Sequence, residues 1–301
     1  MAPRRIAIVG RHGQLARALA EAGEAAGLRI ITAARPELDL ARVETITPVL
    51  TSIRPDAVVC AAAYTAVDKA ESEPDLAYAV NATGAGAVAA AAAAMGVPVV
   101  HVSTDYVFPG DKPAPYVEDD PVGPLGVYGA SKRAGERAVA AAGPDHVILR
   151  TAWVYSPFGT NFVKTMLRVA ADRDVVRVVA DQWGCPTSAL DLAPAVLRVI
   201  ENLLASPGER RLRGVFHLAG RGETSWAGFA TAVFAASRRR GGPWASVEDI
   251  ITAEYPTAAR RPARSCLDGR RIEAVHGVAL GDWQAALETC MDRLLEPGAK
   301  T

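Results

Sequence analysis

Tyr128 and Lys132 stand four residues apart in Tyr128-Gly-Ala-Ser-Lys132, where a helical pattern over Ser131 to Ala142 begins. Residues at that spacing share one helix face, so a phenol and an ammonium can point into a common space. The chemistry available to them is proton delivery during reduction of a ketone. Hydride arrives on the carbonyl carbon while a proton must reach the oxygen. A phenol with a pKa of about 10 is a poor donor and a poor base unless a neighbour stabilises its anion. A cation within about 4 to 6 Å does that, and positioned acid catalysis is worth roughly a hundred- to ten-thousand-fold. The same ammonium can hold a nicotinamide ribose. YxxxK also arises by chance in many helices, so its weight depends on its companions.

Ser103-Thr104-Asp105-Tyr106 directly follows the strand-like run Val97 to Val102. A doubly wound sheet binds its ligands there, beyond the carboxyl ends of its strands. Thr104 can donate to an oxygen on which negative charge grows. Ser103 and Thr104 also suit caps or turns, and Asp105 suits a turn former better than an interior base. Ser103, Thr104, Asp105 and Tyr106 are the candidate substrate contacts. A hydride carrier has a candidate site in Gly10-Arg-His-Gly13-Gln14-Leu15-Ala16, between the first strand-like run and the first helical one. Glycines there let the backbone turn tightly against a pyrophosphate that faces the helix N-terminus. A plain strand-to-helix turn can carry the same GxxGxxA spacing. At the end of the second strand, Ala33-Ala34-Arg35-Pro36 lacks the acid that would grip a free ribose 2′-hydroxyl. Arg35 either meets a 2′-phosphate or is a surface arginine, which favours NADP(H) and leaves NAD(H) possible. Asp39 and Leu40 can cover the adenine.

These groups need a frame that brings strand ends together. Ile6 to Val9, Leu28 to Thr32, Ala57 to Cys60, Val97 to Val102 and Val147 to Thr151 are compact apolar runs, with helical segments such as Leu15 to Ala26 and Leu76 to Met95 between them. That alternation predicts an α/β fold, a Rossmann-like doubly wound parallel sheet. The rhythm changes after Trp153, which predicts a smaller C-terminal α/β substrate lobe. We expect residues 1–155, with a returning segment at about 188–220, to form the dinucleotide-binding domain, and 156–187 with 221–301 the lobe. Within the latter half Phe162 to Ala171, Leu190 to Leu204 and Trp226 to Arg239 read as helices, Val215 to Leu218 as a strand, and Tyr255 to Pro262 as a loop.

The 301 residues carry 33 basic and 33 acidic side chains, so no global field recruits nucleic acid or an anionic membrane. No run of eighteen apolar residues marks a spanning helix. Cys60, Cys185, Cys266 and Cys290 lack metal-ligand or CxxC spacing and read as packing residues. The apolar run after Arg4-Arg5 is too short for a signal peptide, so the expected location is cytoplasmic.

Taken in order, these motifs resemble the dTDP-4-dehydrorhamnose reductase family of the extended short-chain dehydrogenases/reductases. The segments that carry the resemblance are Gly10 to Leu15, Ala61 to Glu71, Asn81 to Gly84, Ser103 to Phe108, Tyr128 to Lys132 with Gly135-Glu136, Arg150 to Tyr155, Asn161-Phe162, Asp181-Gln182 with Gly184 to Thr187, and Tyr255-Pro-Thr with Arg261-Pro262 and Ser265. They span nearly the whole chain. The resemblance implies that Tyr128 donates the proton, Lys132 assists and Thr104 partners the oxygen. It also implies that Ala63, Tyr64 and Thr65 line the cofactor, and that Val67, Tyr106 and Trp153 lie along a deoxysugar. Read from the residues alone, Val67 and Trp153 suit core packing, Asn81 suits a helix cap, and Arg261 suits either a diphosphate or solvent. Some relatives place carboxylates that hold a divalent cation between subunits at positions matching Ala18 and Leu190, so no metal is expected. Ala16 replaces a glycine frequent at that fingerprint position, which alters helix packing only. The implied reaction is reduction of the C4 ketone of dTDP-4-dehydro-β-L-rhamnose by a monomer or homodimer. Reduction of another nucleotide-4-keto-deoxysugar, and a non-catalytic role like that of the regulatory subunit of methionine adenosyltransferase, stand beside it.

Overall fold

Short β-branched runs form the main sheet because both of its faces are covered by helices. The structure is a computed structural model that describes residues 3–295; Met1 and Ala2, at the head of the N-terminal segment, lie outside the described residues. In chain order come β1 (Arg5–Val9), β2 (Arg29–Ala33), β3 (Ala57–Cys60), β4 (Val99–Thr104) and β5 (His146–Thr151). β6 (Val175–Val179) leaves the sheet, β7 (Gly214–His217) returns to it, and β8 (Ser246–Ile250) pairs with β6 in parallel. The sheet is parallel throughout, in the order β2-β1-β3-β4-β5-β7. Its strand order reverses between β1 and β3, which opens a crevice at their carboxyl ends.

The helices follow: α1 (Gln14–Ala25), α2 (Ile46–Ile53), α3 (Ala85–Ala94), α4 (Val127–Ala142), α5 (Phe162–Ala170), α6 (Ala189–Ala205), α7 (Trp226–Arg239), α8 (Arg270–His276) and α9 (Trp283–Leu295). Alternation along β1 sends Ile6 and Ile8 to one core, with Leu19 of α1 and Val196 and Ile200 of α6. Ala7 and Val9 go to the other, with Leu50 of α2 and Val88 of α3. Ala18 and Leu190, where some relatives carry acids, pack into the first of these cores. A separate core joins α5, α7 and α9 to β6 through Val163, Val176, Phe229, Val233 and Leu287.

Two boundaries shift in ways that matter to chemistry. β4 runs to Thr104 because Ser103 and Thr104 pair with Arg150 and Thr151 of β5, so both residues end the strand rather than follow it. α4 starts at Val127, which puts Tyr128 inside its first turn. Pro74–Ala94 is long and apolar enough, by length and composition alone, to cross a membrane. Here it contains a π-helical segment at Ala79–Gly84 and buries Val88, Ala89 and Ala92 in the sheet's second core.

Candidate active site

Glycines on α4 set its distance from the end of β4. A Cβ on Gly129 would sit 2.2 Å from the Tyr106 carbonyl oxygen, and one on Gly135 would sit 2.0 Å from that of Asn81. Without side chains at these two positions the helix lies against the turn that follows β4 and against the π-helical segment, which brings Tyr128 beside Thr104 and Lys132 to β4. The Tyr128 side chain lies beside the Thr104 hydroxyl, and its ring meets that of Tyr106 edge-on at 5.6 Å. Burial pushes the Tyr128 phenol up to about 12, and the neighbouring Thr104 hydroxyl opposes that rise. Thr104 Oγ1 donates to Asp105 Oδ1 at 2.9 Å and accepts from the Tyr106 backbone N–H at 3.2 Å. Ser265, from the far end of the chain, donates to Asp105 Oδ2 at 2.5 Å. Burial raises the Asp105 carboxyl to about 6 despite these bonds. Thr104 therefore caps the turn at Asp105–Val107 and also touches the phenol.

Lys132 is 2 % exposed. Its Nζ donates to the Val102 carbonyl at 2.7 Å and lies 3.2 Å from His101 Nε2. Burial lowers the ammonium to about 8, with Cys60 and Glu136 opposing. The expected direct effect of Lys132 on the phenol is not what governs Tyr128 here, because the ammonium is held against β4 and burial dominates the phenol's environment.

The glycine turn has the shape an anion needs. Gly10 takes φ +129°, and a Cβ on it would lie 3.4 Å from the Ala62 backbone nitrogen and 3.5 Å from the Ala16 Cβ. Gly13 caps α1 with no side-chain bond, its Cα faces open space, and no acid occupies the first turn. First-turn N–H groups are thus left for a ligand. Gln14, by contrast, is committed elsewhere: its amide donates to the Val154 carbonyl and accepts from Ser156 Oγ and Asn161 Nδ2. Leu15 is buried behind the turn. Arg35 is exposed beyond β2, Leu40 is buried, and Asp39 caps its own turn through Ala41 N–H. Ala63 and Tyr64 are partly exposed and Thr65 is exposed, after β3.

Comparisons bear on a site of this geometry. The family described as RmlD substrate binding domain matches residues 4–296. The chain belongs to the RmlD family. A dTDP-4-dehydrorhamnose reductase of Sinorhizobium fredii is 51% identical, over 98% of this chain and 99% of its own. One of Burkholderia thailandensis is 42% identical, over 97% and 99%. Among solved structures, the enzyme of that name from Bacillus anthracis, in complex with NADP, has a TM-score of 0.89 at 36% identity, covering 96% of this chain and 98% of that one.

Other residues in this RmlD chain hold the frame. Ser103 faces the interior and donates to Glu136 Oε1 at 2.7 Å, away from the Tyr128 side, because neighbouring strand residues alternate. Glu136 also takes a two-point bond from Arg150, at 2.8 and 2.9 Å, and one from Arg133. Asn81 is no cap. It sits inside the π-helical segment, where its amide brackets the Tyr64 backbone at 2.8 and 3.0 Å and donates to Ser131. Val67 is partly exposed, and the next residue, Asp68, pairs with Arg261 at 2.7 Å; Arg261 is thereby neither solvated nor free. Trp153 takes φ +46° and stacks on Trp226 at 3.5 Å, while Gly184 leaves room for its indole. Sequence reasoning passed over His101 and Trp226: His101 lies within an apolar run, and Trp226 meets Trp153 only through the fold. A cavity of about 310 Å³ beyond β7, bounded by His217–Glu223, Cys185 and Cys266, contains none of the candidate catalytic, cofactor or substrate residues. Cys266 Sγ donates to Glu223 Oε2 at 3.3 Å there, and all four cysteines are buried and free.

Proposed function

We infer that this chain is an oxidoreductase that reduces the C4 ketone of dTDP-4-dehydro-β-L-rhamnose to dTDP-β-L-rhamnose with NADPH, in the cytoplasm, as a monomer or homodimer. The observation that carries the reading is Tyr128 beside Thr104 at the carboxyl end of β4, on the helix that also carries the buried Lys132, in a chain that shares half its residues with a full-length reductase.

Support for a dinucleotide at the glycine turn comes from three features: the Gly13 Cα faces open space, the first turn of α1 is uncapped by side chains, and Arg35 is exposed beyond β2, from where it would meet a 2′-phosphate. Gly10, Gly13 and Leu15 would bring their backbones to the pyrophosphate, with the Gln14 amide fixing the helix behind them. Asp39, Leu40, Ala63, Tyr64 and Thr65 would line the remainder. NADPH, when bound, supplies the hydride. Everything else falls to the chain. A carbonyl oxygen lodged at Thr104 and Tyr128 meets two hydroxyl groups, and Tyr128 gives its proton as the oxygen becomes an alkoxide more basic than a phenolate. Lys132 stabilises the phenolate that remains. Val67, Asp105, Tyr106 and Trp153 would border the sugar, and Ser103 would support Thr104 from behind.

The direct test gives the purified chain NADPH and several dTDP-4-keto sugars side by side. Conversion of the rhamnose precursor to dTDP-rhamnose, identified by NMR, is expected. No turnover of that sugar, or equal turnover of unrelated ones, overturns the reading.

A further inference from the structure

An ammonium group has hydrogens to give and no lone pair to receive with. Lys132 Nζ, 3.2 Å from His101 Nε2, can therefore bond to it only if that nitrogen carries a lone pair. The imidazole must then be neutral with its hydrogen on Nδ1. His101 Nδ1 is buried and has no hydrogen-bond partner. A buried donor left without a partner is costly, and such groups in folded proteins call for an explanation. An aliphatic side chain at position 101, matching Val99 and Val100 on the same strand, would avoid the cost altogether.

We propose that His101 is a positioning residue for Lys132: its Nε2 lone pair and the Val102 carbonyl together fix the ammonium against β4, one helical turn along α4 from Tyr128, at the expense of an unsatisfied Nδ1–H. The proposal rests on reading Lys132 as the helper of Tyr128, and goes beyond it by assigning the group that holds the helper. Two acceptors on one strand define a direction for Nζ, where one would leave it free to swing. A protonated His101 would have no lone pair and would repel the ammonium, so the arrangement requires a histidine that stays neutral. Burial and Lys132 together hold its pKa well below the ordinary value.

The charged and titratable groups that face Lys132 come from three elements. Cys60 lies on β3, with its thiol pushed up to about 11 by burial; His101 lies on β4; Glu136 lies on α4 itself and is tied to Arg150. None supplies the acceptor that His101 does.

Two measurements on the full-length chain test the assignment. In the free protein, ¹⁵N NMR of His101 should show the Nδ1–H tautomer and an imidazole that stays neutral well below the pH at which an ordinary histidine titrates. An Nε2–H tautomer, or a histidine that titrates near its ordinary pKa, overturns the proposal whatever the substrate proves to be. In turnover, His101→Leu removes an acceptor from the charged form of Lys132, so the alkaline limb of kcat should move to lower pH by about one unit. His101→Gln, whose amide oxygen can accept in place of Nε2, should restore much of the limb. Superimposable pH profiles for wild type and His101→Leu refute the proposal while leaving the reductase reading intact. If wild type turns over no dTDP-4-keto sugar, the reductase reading fails, and the NMR result still decides the tautomer and the contact.

Discussion

A single oxygen atom distinguishes tyrosine from phenylalanine, and at position 128 the proposed reaction depends on it. Tyr128→Phe keeps the ring that meets Tyr106 and removes the proton donor. We expect kcat to fall by about a hundred- to ten-thousand-fold, the range for positioned acid catalysis, while the dissociation constant for NADPH, followed by fluorescence titration, stays within about threefold of wild type. Activity equal to wild type would remove Tyr128 from the mechanism. Arg35 governs a different choice. It is exposed beyond β2 with no acid beside it in sequence until Glu37. Arg35→Ala should raise KM for NADPH by about tenfold or more, as expected for loss of a charge-assisted bond, and leave KM for NADH nearly unchanged. Equal effects on both cofactors would mean that Arg35 does not meet the 2′-phosphate.

At the scale of elements, α4 is anchored by a buried ion pair as well as by apolar contact. Glu136 and Arg150 are 1 % and 2 % exposed. Burial alone would raise the Glu136 carboxyl, but bonds from Arg150, Ser103 and Arg133 hold it below the ordinary carboxylate range. Removing one partner leaves the other charge buried and unpaired. Glu136→Ala should therefore cost about 3 to 5 kcal/mol in urea unfolding, and a loss below about 1 kcal/mol would show that water reaches Arg150. Much of this level was legible in the sequence. The five apolar runs of the first half became strands because a parallel sheet buried on both faces leaves an almost unbroken apolar signature. β8 was not legible. Its Ser-Val-Glu-Asp-Ile pairs with β6 from 71 residues upstream, and its mostly exposed face leaves no regular pattern. Asn81 and Ser103 were recognised as belonging to motifs, but the side to which each turns depends on neighbours that only the fold supplies. Thr104, Tyr128 and Lys132 could be read because their spacing reflects local helix and strand geometry. The Asp68–Arg261 pair could not, since its members are separated by most of the chain.

For the molecule as a whole, acidity is the most revealing variable. His101, His217 and His276 are buried at the centre of the sheet, at the end of β7 and on α8. Burial is the largest cause that lowers each: His101 well below its ordinary value, His217 to about 3 and His276 to about 4. The unfolded chain binds protons at these residues near pH 6.5 and the folded one does not. Their contribution to stability is thus complete above about pH 6.5 and is lost as the pH falls toward the folded values, at about 1.4 kcal/mol per unit for each histidine. Asp105, raised to about 6, works in the opposite direction and offsets part of the loss. The urea midpoint should be flat from pH 8 to about 7 and lower at pH 5; an unchanged midpoint at pH 5 would contradict the buried neutral histidines. The stacked indoles of Trp153 and Trp226 carry a different consequence. One extends from the end of β5 and the other opens α7, and they lie 3.5 Å apart with planes only 5° from parallel. Two chromophores in such register couple optically, so the near-ultraviolet circular dichroism of this protein contains a built-in gauge of whether its sheet and the separate core of α5, α7 and α9 are seated against each other.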